Sequence, residues 1–221
     1  MKRLKQYFLC IGVILLQILV SLRFIAQLGM DYKIPTHWNI KGQIDGWMGI
    51  GKGSMLFIGL NIFLFLLLFL LPYFSPKYKE QEERFEKVMP QFAGILAFFF
   101  GTIHIFSIYL AKYPEISEKG NFVLSILGIM FIAIGNLLPK IPQNFFAGIR
   151  TPWTLSSEDI WRKTHRLGGR SFVFGGIFVI FASMFPHDSS TTVFAFIIFM
   201  ACALLPAGYS FILFKKEGSS K

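Results

Sequence analysis

The chain has 221 residues, is 54% hydrophobic with 27 phenylalanines, holds only 15% charged residues, and yet carries a formal net charge of +10. A soluble domain averages roughly 25% charged residues, and in water this many apolar side chains would have nowhere to go; the same numbers exclude a disordered chain. A nucleic-acid-binding domain would match the charge but not the apolar content, which leaves a polytopic membrane protein whose basic residues gather on one side.

A bilayer core of roughly 30 Å takes about 20 apolar residues per helix. Six stretches qualify, at residues 7–28, 55–74, 92–110, 122–138, 172–186 and 192–214. The predicted fold class is therefore all-α, a polytopic membrane protein with six transmembrane helices. The first stretch follows MKRLKQYF, which looks like the charged start of a signal peptide. Its apolar run is too long for one and no small-x-small cleavage site follows, so it reads as a retained signal anchor. The fifth stretch is short, reaching only some 20 Å at about 1.5 Å per residue. It is expected to recruit Leu167 to Ser171, with Arg170 snorkelling to the headgroups; the other arrangement is a re-entrant hairpin of the fifth and sixth stretches.

Six spans bring both termini to one side, together with the second and fourth loops. That side carries 16 of the 22 Lys and Arg residues and the opposite side 5, with Arg23 inside the first span. The positive-inside rule then predicts cytoplasmic termini. The excess charge reads as a topology signal and not as a nucleic-acid footprint. Trp38, Trp47, Trp153 and Trp161 all fall outside the spans, and Tyr7, Tyr73, Tyr109 and Tyr113 at or near span ends, as interfacial aromatic rings should.

No acidic residue falls in a span, which argues against an ion-coupled transporter. His104 is the one intramembrane histidine and is expected to hydrogen-bond across helices, as are Asn61 and Asn136. Arg23 is expected to snorkel. Cys10 and Cys202 have no partner at metal-ligand spacing and read as small apolar side chains.

Two loops carry most of the information. On the predicted outer face, residues 29–54 contain Pro35-Thr36-His37-Trp38-Asn39 and Asp45-Gly46-Trp47. Pro35 fixes the backbone, Asn39 to Gly42 and Asp45-Gly46 are turn chemistry, and the alternation around His37, Asn39 and Lys41 fits a short strand or hairpin. His37 and Asp45 are candidate metal ligands, but two are too few for a site, so the loop reads as a compact cap with Trp38 and Trp47 resting on the membrane surface. The second loop, 75–90, is expected to hold a short solvated helix.

On the predicted inner face, residues 139–171 contain Asn144-Phe145-Phe146-Ala147-Gly148-Ile149-Arg150-Thr151-Pro152-Trp153-Thr154-Leu155. Ser156 with Asp159 resembles a capping box that starts a helix running to about Leu167, where Gly168-Gly169 stop or bend it. Glu158–Arg162 and Asp159–Lys163 have the favourable i,i+4 polarity. Arg162, Arg166 and Arg170 line one side, giving an interfacial helix with a basic face suited to anionic lipids.

Pro35-Thr36-His37-Trp38-Asn39 with Gly42 and Asp45 resembles the DUF1648 motif. Asn144, Phe146, Gly148-Ile149-Arg150-Thr151-Pro152-Trp153-Thr154-Leu155-Ser156, Trp161 and Thr164-His165-Arg166 resemble the signature of the SdpI family. The resemblance divides the chain into residues 1–75, a DUF1648-like region with the first two spans, and 76–221, an SdpI-like region with the other four, in one integral membrane unit. It implies a multi-pass protein of the bacterial cell membrane that is not an enzyme, needs no cofactor or metal, and protects its cell from a secreted, membrane-active peptide toxin. It also implies signalling, in which a cytoplasmic transcriptional repressor is held at the membrane. The partners so implied are membrane lipids, the toxin and the repressor, without direct nucleic-acid binding. Carried over by position, the binding residues are Pro35, His37, Trp38, Asn39, Gly42 and Asp45 in the outer loop, and Asn144, Gly148, Arg150, Thr151, Pro152, Trp153, Thr154, Trp161, His165 and Arg166 in the inner one. Two competing readings are a transporter or exporter of an amphipathic peptide or lipid, and a membrane enzyme using His37/Asp45 or His165/Arg166.

Overall fold

Where long runs of Leu, Ile and Phe have only lipid around them, backbone N–H and C=O groups must pair within their own segment, and a helix is the way to do it. The computed structural model describes residues 2–39, 43–74, 76–114, 122–185 and 189–218. In chain order its elements are α1 (Lys2–Gln6), α2 (Phe8–Leu28), strands β1 (Lys33–Trp38) and β2 (Ile44–Gly49), α3 (Ile50–Phe74), α4 (Glu82–Lys112), α5 (Phe122–Leu137), α6 (Pro152–Ser156), α7 (Glu158–Ser183) and α8 (Ser189–Gly218). Six of these, α2, α3, α4, α5, α7 and α8, are long and apolar enough to cross a membrane. The chain is a multi-pass membrane protein, helical throughout its spans, with one small hairpin outside them.

Two helices are longer than the apolar runs suggest. The solvated helix expected in the second loop is instead a 3-10 turn, Pro76–Gln81, running directly into α4. Phe85 is the reason: its ring is fully buried and stacks on Tyr78 at 5.0 Å, so the polar lead-in has an apolar face of its own. Likewise α7 does not stop at Gly168-Gly169. Among the described residues only Gly29 and Gly148 have the positive φ that a glycine helix stop uses, so Gly168 and Gly169 are helical and serve packing. The resulting 26 residues reach about 39 Å at ~1.5 Å per residue, so the fifth span is long enough to cross by taking in Leu167 to Ser171, as expected. Its cap is Ser157, whose Oγ accepts from Ile160 N at 3.3 Å, and not Ser156, whose hydroxyl turns back to Trp153 O.

The spans form two bundles, α2–α3–α4 and α5–α7–α8, joined where α4 meets α5. The second bundle is tightest between α5 and α7. A Cβ at Gly128 would stand 2.7 Å from Gly176 O, and one at Gly135 2.8 Å from Gly169 O. The pairs repeat seven residues apart on antiparallel helices, the small-residue packing by which membrane helices bring their backbones together. Ser125 and Ser183 share a hydrogen bond of 2.7 Å at one end of this seam. Across α7 and α8, a Cβ at Gly175 would stand 2.9 Å from Cys202 Cβ. Cys202 is thus a small packing residue and Cys10 is buried in the other bundle, as expected for both.

The first bundle is tied by a buried polar chain. Asn61 Nδ2 donates to Gln17 Oε1 at 2.7 Å, Gln17 Nε2 to His104 Nδ1 at 3.1 Å, and His104 Nε2 to Ser54 Oγ at 3.1 Å. Since the Gln17 amide nitrogen has only hydrogens to give, Nδ1 is the acceptor and the ring proton sits on Nε2. So arranged, the imidazole holds the serine hydroxyl and has no lone pair with which to deprotonate it. His104 and Asn61 thus bond across helices as expected. Asn136 does not: its Nδ2 donates to Ile132 O in its own helix, at 2.9 Å, and the side chain is exposed. Gln17→Leu removes one partner each from Asn61 and His104, at an expected cost of ~2 kcal/mol. Adding His104→Leu should cost less than the two single changes summed, and reversible unfolding in mixed micelles measures that coupling.

Candidate functional site

The two motif loops sit at opposite ends of the spans. At one end, β1 and β2 pair antiparallel, with Ile34 opposite Met48 and Pro35 opposite Trp47. Asn39 closes the turn: its N donates to Gln43 O at 2.8 Å, and its Oδ1 accepts from Gln43 N at 3.0 Å. The hairpin is bolted to the bundle through β1. Ile34 is fully buried against Ile50 and Ile108, Ser107 Oγ donates to Pro35 O, and Tyr32 OH donates to Ala111 O at 3.0 Å. Trp38 packs on the Phe57, Ile103 and Ile126 cluster, a correction to the expectation that it rests on the membrane surface; Trp47 is half exposed. Gly42 lies outside the described residues.

His37 Nδ1 and Asp45 Oδ1 meet at 2.5 Å, with side chains 70% and 43% exposed. No third His, Cys, Asp or Glu joins them among the described residues. The pair clips the hairpin shut across its strands. An exposed pair contributes roughly 0.2–1 kcal/mol, so His37→Ala should lower the unfolding free energy of the whole protein by no more than about that margin. A loss well beyond it would mark a structural or ligand role that the contacts do not account for.

At the other end, residues 141–165 fold into a knot of side-chain-to-backbone hydrogen bonds. Asn144 is buried; its Oδ1 accepts from Phe146 N and Ala147 N, both at 2.7 Å, and its Nδ2 donates to Pro142 O at 2.8 Å and Ala147 O at 3.0 Å. That satisfies the amide fully and bends the chain toward Gly148, which has φ +112°. Ile149 N then donates to His165 Nε2 at 3.0 Å, while His165 Nδ1 donates to Trp161 O at 2.9 Å. The backbone donor at Ile149 fixes the tautomer, with the ring proton on Nδ1. His165 stacks on Trp161 at 4.0 Å between centroids, and Trp161 Nε1 donates to Ile141 O at 2.9 Å.

The rest of the motif caps α6. Thr151 Oγ1 accepts from Thr154 N at 3.1 Å, and Thr154 Oγ1 accepts from Thr151 N at 2.9 Å, a reciprocal capping box with Pro152 at the first helical position. Thr154 Oγ1 also donates to Ile149 O at 2.9 Å, and Thr151 Oγ1 shares 2.9 Å with Ser210 Oγ on α8. Gln143 is a member that the sequence did not single out: buried, with Nε2 donating to Thr154 O at 2.7 Å and Leu155 O at 3.0 Å. Its signal is its place beside Asn144, between a proline and an apolar run.

This geometry sorts the motif residues. Asn144, Thr154, Trp161 and His165 are buried and hold the loop's shape, and Gly148 makes room for His165. Phe145, Phe146, Arg150, Pro152 and Arg166 are exposed, with Arg150 Nη1 donating to Phe145 O at 2.8 Å. Trp153 is half-buried, leaning on Phe211 at 4.9 Å. His165 and Arg166, joined in the enzyme reading, point to different environments, one buried and one exposed. On α7, Asp159 takes both Arg162 at 2.6 Å and Lys163 at 2.5 Å, in place of the Glu158–Arg162 pair expected.

An apolar groove of about 520 Å³ lies between α4 and α5, walled by Phe98, Phe99, Ile126 and Ile129, with Gln91 and Thr102 its polar side chains.

Comparison with known proteins finds a family likeness in the segment that holds the knot. Residues 140–210 match the SdpI/YfhL protein family. The Immunity protein SdpI of Bacillus subtilis (strain 168) is 27% identical to this chain over 95 residues, which are 43% of this chain and 45% of that protein. The matched stretch thus spans less than half of the relative's length. No solved structure matches.

Proposed function

From the match of residues 140–210 to the SdpI/YfhL protein family, we propose that this chain is a membrane immunity protein of that family, without enzymatic activity, that protects its cell from a secreted peptide toxin. The observation that carries the proposal is the match of residues 140–210, which contain the Asn144–His165 knot, to the SdpI/YfhL protein family, together with the 95 residues that the chain shares at 27% identity with an immunity protein. The charge asymmetry between the loops supports an orientation with both termini and the knot in the cytoplasm and the hairpin outside. In that orientation residues 1–75 present the hairpin to arriving toxin and residues 76–221 present the knot to the cell interior.

An apolar peptide reaches the protein through lipid, and the groove between α4 and α5 opens toward lipid with an almost wholly apolar lining. It is the natural place to hold such a peptide away from the bilayer. α4 also packs against β1 of the hairpin, so an occupant of the groove is felt at the outer motif residues Pro35, His37, Trp38, Asn39 and Asp45. On the cytoplasmic side the exposed Phe145, Phe146 and Arg150, beside Trp153, have the aromatic-plus-arginine composition of a protein-binding patch. A transcriptional repressor is the partner that fits it. The buried Asn144, Thr154, Trp161 and His165, with the half-buried Gly148 and Thr151, shape that patch without touching the partner.

The alternative, an exporter of an amphipathic peptide or lipid, is favoured by the same groove and is separated by energy dependence. In vesicles holding a trapped dye, with no gradient and no nucleotide, the reconstituted protein should reduce leakage caused by the cognate peptide, and Ala133→Phe, which fills the groove, should abolish the effect. Protection only when an ion gradient is imposed would favour the exporter.

A further inference from the structure

Arg166 and Arg170 lie one turn apart on α7, both exposed. Arg162 and Lys163, a turn earlier, share the Asp159 carboxylate, but Arg166 and Arg170 have no carboxylate within salt-bridge distance among the described residues. They line a groove of about 480 Å³ between the end of α5 and α7, which continues past Asn136 and Pro139 to Val173, Phe174 and Ile177. The groove is built in, because Gly135 and Gly169 draw the two backbones together beneath it. One end is cationic, with the exposed Asn136 amide beside it. The other is apolar, with Phe174 65% and Ile177 56% exposed.

Depth decides what fills it. Counting back from the end of α7 at Ser183, the roughly 20 residues that span the core reach about Lys163. The backbone of Arg166 and Arg170 then lies some 5–10 Å inside that boundary at ~1.5 Å per residue, from where the long exposed side chains snorkel out to the headgroup level, with no carboxylate within salt-bridge distance among the described residues. Phosphate at the headgroup level is the anion available there. A guanidinium offers it a planar, charge-assisted fork, and two of them disfavour the cationic amine of a zwitterionic lipid.

We infer that this groove is a binding site for one anionic phospholipid, its phosphodiester against Arg166 and Arg170, its headgroup or ester oxygens near Asn136, and one acyl chain along Val173, Phe174 and Ile177. The site stands apart from toxin protection and holds whether or not the protein confers it. It anchors α7 in register with the leaflet at the point where the helix enters the knot, because Arg166 adjoins His165.

The test is lipid retention by the intact purified protein, read by native mass spectrometry with phosphatidylglycerol and phosphatidylcholine of identical chains. At about fivefold per arginine near an anionic headgroup, the wild type should prefer phosphatidylglycerol by ~30-fold. Arg166→Gln with Arg170→Gln should bring the preference near parity, while Arg162→Gln, whose arginine is already paired, should keep it. Inorganic phosphate should not displace the bound lipid. Equal retention of both lipids by the wild type overturns the inference without recourse to any variant. So does a preference that survives the double substitution, or one that Arg162→Gln abolishes, since that describes a diffuse basic surface. Displacement by inorganic phosphate would mean a site for the free anion and would also overturn it.

Discussion

Gly148→Val should unfold the Asn144–His165 knot. The position has φ +112°, and any Cβ there would collide with His165 Nε2 and lie 3.1 Å from the Trp161 ring. A β-branched residue at positive φ is strained by ~1–3 kcal/mol in the backbone alone. Relief by moving His165 would strand the Ile149 N–H, another ~1–3 kcal/mol. A total near 4 kcal/mol stands far above the ~1 kcal/mol of an ordinary substitution. Trp161 fluorescence reports the damage directly, since its stacking on His165 and its bond to Ile141 O are lost together. Gly148→Ala should show most of the same effect, because backbone and collision are common to both. Normal stability and an unchanged Trp161 signal in either variant would mean that the knot is not built as described.

The second large effect is Gly135→Leu. Its Cβ would fall 2.8 Å from Gly169 O and 2.9 Å from Val173 N, both backbone atoms that no rotamer change can move. The two helices must separate along the seam, and the expected loss is ~3 kcal/mol or more, at the upper end of overpacking costs. The control is Gly12→Leu on α2, where a Cβ meets nothing within 4 Å. There the better helix former should leave stability unchanged or raise it by up to about 1 kcal/mol. Unfolding of the two variants in mixed micelles distinguishes steric demand in the seam from a general intolerance of leucine in the spans. Equal stability of the two would refute backbone contact between α5 and α7.

Composition made the spans legible, because apolar run length fixes a membrane helix more firmly than any propensity. It did not make their ends legible. Phe85 extends α4 into a stretch whose charges read as solvent-facing. Gly168-Gly169 looked like a stop in one dimension and proved to be a packing surface against Leu138 and Pro139 in three. The glycine seam was equally hidden, since a seven-residue spacing gains meaning only when the facing helix carries the same spacing. His104 was readable as an interhelical hydrogen-bonder, while its partner Gln17 passed unnoticed as one amide in an apolar run. For the motif loops, the sequence located the residues but not their division of labour. Which of them are buried scaffold and which are exposed surface depends on Asn144 and His165 satisfying backbone groups, and no periodicity encodes that.

Survival of toxin-sensitive cells tests the central claim most directly. Cells expressing the protein, with its membrane level confirmed, are challenged with the cognate secreted peptide beside cells carrying an empty vector. The wild type should restore growth. Arg150→Ala, which alters the exposed patch proposed to face the cytoplasm and leaves the knot folded, should keep protection while weakening any repressor response, whereas Gly148→Val should lose both. Killing that is unchanged by wild-type protein present in the membrane would contradict the immunity function.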